Sequence, residues 1–165
     1  MHSTSGKSPS ESLVTMTEVV LPPDANGLGT VFGGKIMSWI DIAGGIAAGR
    51  HARKVVVTAS IDALNFISPV EVGNVVHIKA SVNYAGRTSV EVGVRVDSEN
   101  LITGQTRHTA TAYTTFVALD TNGVPTPVPP INPVTPTDKR RFENAKKRRE
   151  TRIRLTKELK RHSEQ

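Results

Sequence analysis

Only one stretch within residues 13–124 of this chain carries a helical period, and almost everything around it alternates. Between Gly34 and His51, Ile36, Met37, Ile40, Ala43, Gly44 and Ala47 recur at three- and four-residue steps, the spacing of a helix with one buried face. Glycine and alanine crowd Ala43 to Ala48, so that face is thin. A thin helix can lie very close to a sheet, although its glycines lower its intrinsic propensity. The other segments read as strands. Leu13 to Leu21 is one, stopped by Pro22-Pro23, because proline cannot donate to a ladder. Val55 to Phe66 is the next, ended by Ser68-Pro69. From Asn74 to Tyr84 the residues Val76, Ile78, Ala80, Val82 and Tyr84 point one way, and after a turn at Ala85 to Ser89 the set Val90, Val92, Val94 and Val96 repeats the pattern. Gly104 to Leu119 places His108, Ala110, Ala112, Thr114 and Phe116 on one side. Strand, helix, then four strands predicts an α+β domain in which an antiparallel sheet wraps one long central helix. Such a sheet has open edges, so edge-to-edge dimerisation is expected.

Composition divides the chain further. Residues 1–12 are polar, rich in Ser and Gly, and expected to be a disordered leader. Residues 13–124 form the folded domain, residues 125–137 a proline-rich connector holding six of the ten prolines, and residues 138–165 a basic, partly helical tail. That tail carries 12 Lys and Arg against 5 Asp and Glu, whereas residues 1–137 carry 9 against 10, so the basicity is local. With no cysteine, disulfides, thiolate nucleophiles and thiolate metal sites are excluded. No apolar run reaches the roughly 18–20 residues that span a bilayer, and the N-terminus lacks a signal-like apolar stretch, so a cytoplasmic location is expected.

Asp41 is the first candidate for chemistry, because a carboxylate among Trp39, Ile40, Ile42, Ala43 and Gly44 is costly to bury unless paired or functional. On spacing alone, an aspartate on the solvent face of the helix reads equally well. The preceding loop, Asn26-Gly27-Leu28-Gly29-Thr30-Val31-Phe32-Gly33-Gly34, delivers an amide and several glycines to the N-terminus of the same helix. Early helix N–H groups lack internal acceptors and carry partial positive charge, and glycines let a carbonyl oxygen approach them. The turn Gly86-Arg87-Thr88-Ser89 offers one cation and two hydroxyls, a grip suited to phosphates. Thr58 and Ser60 are placed to line a channel. His51 closes the helix as a cation on its dipole, His77 lies on a polar strand face, and His108 has no acid near it in sequence. None has metal-site or triad spacing, so neither a metal nor a cofactor is expected.

The run Asn26 to His51, together with V-T-A-S-I-D-A-L-N-F-I-S-P-V-E-V-G-N from Val57, G-R-T-S-V-E-V from Gly86, T-A-Y-T-T-F-V-A-L from Thr111 and D-K-R-R-F-E-N-A from Asp138, resembles the hotdog-fold acyl-CoA thioesterases. More narrowly, it is similar to the cytosolic, brain-type acyl-CoA hydrolase group over roughly Thr17 to Ala145. The resemblance implies hydrolysis of fatty acyl-CoA to free acid and CoA. It implies that Asp41 acts as general base or nucleophile, that Asn26 from a neighbouring subunit orients water or substrate, and that amides near Gly33 and Gly34 polarise the carbonyl. It also implies that Arg87, Thr88 and Ser89 lie near the nucleotide part of CoA, and that the assembly is a dimer or a trimer of dimers, hence a hexamer. Two other classes stay open at this stage. One is a hotdog hydratase or dehydratase, which would need a histidine beside the acid, whereas His51 lies about 15 Å along the helix from Asp41. The other is a nucleotide- or nucleic-acid-binding module using Lys146-Lys147-Arg148-Arg149, disfavoured because the chain has no aromatic stacking platform.

Overall fold

The computed structural model describes residues 5–163 of the chain. β1 (Val14–Val19) leads to α1 (Gly33–Ala52), β2 (Val55–Ile61), the short β3 (Asn65–Phe66), β4 (Val75–Ala85), β5 (Ser89–Glu99), β6 (Thr106–Leu119) and α2 (Pro136–Ser163). The strands make one six-stranded sheet in the order β1-β4-β5-β6-β2, with β3 added to β6 and every pairing antiparallel. The sheet curls around α1, as its alternation predicts.

The inner face is a valine ladder. Val76, Ile78, Ala80 and Val82 of β4, Val90, Val92, Val94 and Val96 of β5, and Ala110, Ala112 and Phe116 of β6 meet Ile36, Ile40, Ala43 and Ala47 of α1, each 2% exposed or less. The helix comes closest at Gly44, where a β-carbon would stand 2.9 Å from the Phe116 ring and 3.1 Å from Thr114 Oγ1. Glycine there allows contact rather than flexibility. α1 ends at Arg53, in the left-handed region at φ 53°, whose N–H donates to the Gly49 carbonyl at 2.8 Å.

α2 packs on the outer face. Its Ala145 is fully buried, its Phe142 ring lies 5.4 Å from that of Tyr84, and its Arg148 guanidinium sits 3.6 Å over Tyr113. Glu91, 2% exposed on β5, accepts from Arg148 Nη2 at 2.6 Å and from Arg152 Nη1 at 3.1 Å, while Arg152 also reaches Asp62 at 2.7 Å. The tail expected to be only partly helical is, through Ser163, one continuous helix that starts at Pro136, inside the expected connector.

Several expectations are corrected. Val55 to Phe66 is not one strand: the pairing with β6 slips between Thr58 and Ser60, leaving Ala59 as a bulge, and β2 stops where Asp62 turns out to meet Arg152. A second slip, between Val96 and Asp97 of β5, leaves Thr109 unpaired and turns His108 away from Ala110 and Ala112 to the outer face. There its Nδ1 lies 3.1 Å from Asp97, and its Nε2 lies 3.0 Å from Thr111 Oγ1. Of the leader expected to be disordered, residues 1–4 lie outside the described residues. The remainder is docked: Lys7 bridges Pro130 and Asn132 of the connector, and buried Ser12 accepts the Val82 N–H at 2.9 Å. The connector is ordered because its carbonyls are used, Pro127 by Lys54 at 2.7 Å and Pro129 by His51 at 2.8 Å. His51 is therefore no exposed helix-end cation but a fully buried ring, whose pKa burial pushes down.

Candidate active site

α1 and the loop before it supply the site. Val31 donates to Val70 O at 2.7 Å, Phe32 donates to Asp24 O at 2.8 Å, and Lys35 pairs with Asp24 at 3.1 Å, so the loop is fastened to the body at its base. The Leu21 N–H and the Lys35 ammonium hold the Asp24 carboxyl below its ordinary range. Between these anchors Asn26 folds the loop on itself. Its Oδ1 accepts from Leu28 N at 2.9 Å, its Nδ2 donates to Thr30 Oγ1 at 2.9 Å, and Gly29 takes φ 75°. The tip, with Leu28 at 89% exposure, projects from the chain.

Phe32 precedes the first helical residue and its ring folds over Gly34, where a β-carbon would collide with it. The Lys35 N–H turns back to Phe32 O at 2.9 Å. The Gly33 and Gly34 N–H groups have no acceptor among the described residues, so the helix begins as a pair of free donors at the positive end of its dipole.

Asp41 lies two turns on, half-buried, with Ile40 and Ala43 fully buried around it. Its Oδ1 accepts the Thr58 hydroxyl at 2.6 Å, across from α1 to the bulged part of β2, and its Oδ2 has no hydrogen-bond partner among the described residues. One oxygen is oriented and the other is free to take a proton. Gly33 and Asp41 are eight positions apart, about 12 Å along the axis at the α-helical rise. One carbonyl cannot contact both groups of the same chain.

Residues 28–104 match the family described as the thioesterase superfamily. The chain is 46% identical over 125 residues to an uncharacterized acyl-CoA thioester hydrolase of Bacillus subtilis, covering 76% of this chain and 73% of that one. The chain belongs to the thioesterase superfamily. The family assignment agrees with the wrapped-helix sheet, which is the hotdog fold. A cytosolic acyl coenzyme A thioester hydrolase of Rattus norvegicus is 37% identical over 141 residues, 84% of this thioesterase-family chain but 37% of the rat protein. Among solved structures, a hexameric acyl-CoA thioesterase superimposes with a TM-score of 0.87 at 43% identity, covering 91% and 97% of the two chains. The acyl-CoA hydrolase of Staphylococcus aureus, solved with butyryl coenzyme A, coenzyme A and coenzyme A disulfide, gives 0.85 at 36% identity, covering 96% and 99%. Further structures of that hydrolase carry alanine in place of an aspartate, an asparagine or a threonine.

Within this thioesterase-family fold the expected site residues divide. Asp41 and Thr58 meet. Gly33 and Gly34 open the helix about two turns before Asp41, and Asn26 lies in the loop that leads into it. The bulge at Ala59 separates Thr58 from Ser60, which instead lines a cavity of about 610 Å³ on the outer face together with Ser89. Thr88 and Arg87 give their carbonyls to Ala118 N and Val128 N, leaving the exposed Arg87 guanidinium outside that cavity. Arg149 and Lys157 of α2 line the same cavity; the sequence reading gave these cations only to the nucleotide- or nucleic-acid-binding alternative, because the docking of α2 beside Ser60 and Ser89 is not visible in the sequence. Acid–histidine contacts do exist, Asp97 with His108 and Glu99 with His77 at 2.6 Å, but both lie on the outer face, across the sheet from Asp41. Burial raises Asp97, yet hydrogen bonds from Arg95 and His108 outweigh it and hold its carboxyl below the ordinary value. Among the described residues no histidine hydrogen-bonds to Asp41, so a dyad for hydration chemistry is not built there. The basic tail, too, is part of the fold: Arg148 and Arg152 are held by Glu91 and Asp62. Among the described residues, no helix is long and apolar enough to cross a membrane.

Proposed function

We propose that the protein hydrolyses acyl-CoA thioesters to a free carboxylic acid and CoA, at a site completed by a second copy of the chain. The observation that carries the reading is Asp41, with one carboxylate oxygen held by Thr58 at 2.6 Å and the other unpartnered. Asp41 takes a proton from a water, and the resulting hydroxide attacks the thioester carbonyl. The free Gly33 and Gly34 amides of the partner subunit receive the negative charge that develops on oxygen, and the C–S bond then breaks as Asp41 returns its proton to the departing sulfur, releasing CoA as the thiol. The eight-residue separation within one chain favours this division of labour. The aspartate, asparagine and threonine replaced in the Staphylococcus aureus hydrolase are the residue types of Asp41, Asn26 and Thr58.

A partner fits the flank that carries Asp41. Met37, Ile42 and Ile46 of α1 and Val55 and Val57 of the edge strand β2 are 41–68% exposed there, an apolar face beside an unpaired edge. Pairing through it brings the projecting Asn26 loop of one copy toward Asp41 of the other, and a trimer of such dimers gives the hexamer seen for a relative. Arg149 and Lys157 provide charge and Ser89 a hydroxyl for CoA phosphates, with the exposed Arg87 guanidinium as a further cation outside the cavity. The reaction needs no metal or redox cofactor, and a cytoplasmic setting suits its substrate.

Thiol release from a panel of acyl-CoAs tests this, with wild type beside a folded Asp41→Ala variant. Loss of about 10²- to 10⁴-fold in kcat is expected for removal of a general base. Equal turnover by both proteins would remove Asp41 from the chemistry.

A further inference from the structure

A cavity of about 310 Å³ opens at the N-terminal end of α1. Its depth is formed by Val31, Ile36 and Val70, at 8%, 1% and 0% exposure, and its rim by Phe66 and Pro69. Gly33 is part of the lining, and a β-carbon on Gly33 would stand 3.5 Å from the Phe66 ring. The ring is therefore stacked on the first turn of the helix, beside the free amides. β3 fixes it there: Phe66 pairs with Ala110 of β6, and just beyond it Ser68 Oγ donates to His108 O at 2.8 Å.

Apart from the free amides at the helix start, the side-chain polar groups around this cavity are already used. Ser68 Oγ is spent on His108, and Thr30 Oγ1 is held by Asn26. A thioester carbonyl on the Gly33 and Gly34 amides has two arms that could enter. The pantetheine arm brings amides and a hydroxyl, which would lose their hydrogen bonds to water and find no partner here. The acyl arm brings only methylenes.

We propose that this cavity takes the acyl tail and that Phe66 is the wall that sets chain-length preference, an inference that rests on the thioesterase reading above. Since a cavity of roughly 150 Å³ holds one benzene ring, this one accommodates on the order of ten to twelve carbons. The substrate class is accordingly short- to medium-chain acyl-CoA, with longer tails projecting into solvent.

The test is kcat/KM for saturated acyl-CoAs of increasing length, measured on the full chain for wild type, Phe66→Ala and Phe66→Leu. Thermal unfolding would confirm that each variant is folded. In wild type each added methylene raises kcat/KM by up to roughly fourfold until the cavity is filled, and then the gain stops. In Phe66→Ala the ratio of octanoyl- to acetyl-CoA kcat/KM falls on the order of tenfold or more, with Phe66→Leu between the two. Loss by the same factor at every chain length would overturn the proposal, because the ring would then only seat the helix. An unchanged ratio would also overturn it, placing the tail elsewhere. A wild type active on all lengths with a flat profile removes this pocket but keeps the thioesterase, whereas no thiol release from any acyl-CoA removes both.

Discussion

Along α1 the residues turned to the sheet are Ile36, Ile40, Ala43, Gly44 and Ala47, whereas α2 turns Ala145, Arg148 and Arg152 toward the same sheet from the other side. The inner helix is held by shape. Its contact with Phe116 is so close that one methyl group at Gly44 would collide, and among the described residues its buried face makes no ion pair. The outer helix is held largely by charge, through a carboxylate, Glu91, that is almost wholly buried beneath two guanidinium groups. This difference matters for function. A helix fixed by close packing has little freedom to slide, so Asp41 and the Gly33 amides keep their spacing. A helix fixed by a few ion pairs can close a cavity of about 610 Å³ over the sheet without contributing to the main core.

The comparison breaks most readily at Glu91. Glu91→Ala leaves Arg148 partly buried without an acid and Arg152 with Asp62 alone, and removal of one partner of a buried pair costs about 3–5 kcal/mol. Both arginines keep roughly a quarter of their side-chain surface in solvent, which favours the lower end of that range. Urea unfolding measures it. Combining Glu91→Met with Arg148→Met and Arg152→Leu should recover most of the loss, because apolar residues of similar volume often replace a buried ion cluster without penalty. No recovery would mean that α2 is held by shape after all.

The matching change on the inner helix is Gly44→Ala. In an exposed helix, alanine in place of glycine would stabilise by about 1 kcal/mol. Here the added carbon would meet Phe116 at 2.9 Å, and overpacking of that kind costs about 1–3 kcal/mol. A net destabilisation near 1 kcal/mol is expected, in the same urea assay. A stabilised Gly44→Ala would show slack between helix and sheet, and would weaken the argument that Asp41 is held at a fixed position.

How much of this was legible in the sequence follows from distance along the chain. The inner helix, the valine faces and the Gly33–Asp41 arrangement are written in local periods, so Ile36, Ile40, Val92 and Val94 could be assigned without a structure. The bulges at Ala59 and Thr109 break the period by a single residue, and that slip sends Ser60 and His108 to the outer face. The docking of α2 was invisible for another reason. Arg152 meets Asp62 across 90 positions and Glu91 across 61, so its run of cations reads as a solvated tail until the partners are in place. Glu91 itself carried a signal, a carboxylate flanked by Val90 and Val92, yet alternation alone assigns it to a polar face.

The smallest effect expected concerns pH, and it falls on the helix held by shape. His51 ends α1 fully buried, with Nε2 against Pro129 O at 2.8 Å and Nδ1 without a hydrogen-bond partner. Burial lowers its pKa, the bond to Pro129 works in the opposite direction, and Lys7 adds to the lowering while Glu11 opposes it. The ring is thus neutral in the folded chain at a pH where, unfolded, it would begin to take a proton at its ordinary value of about 6.5. The unfolded state then binds more protons, so stability rises with pH through this window and is lost as pH falls from above 6.5 toward the lowered folded value. Urea midpoints at about pH 7.5 and about pH 5.5 should therefore differ more for wild type than for His51→Asn, which cannot titrate there. Because carboxylates such as Asp24 and Asp97, whose pKa values are lowered, release their stabilisation only at lower pH, the difference between the two proteins isolates the histidine. An equal midpoint shift in both proteins would place the pH sensitivity elsewhere, and the junction of α1 with the proline-rich connector would then be indifferent to mild acid.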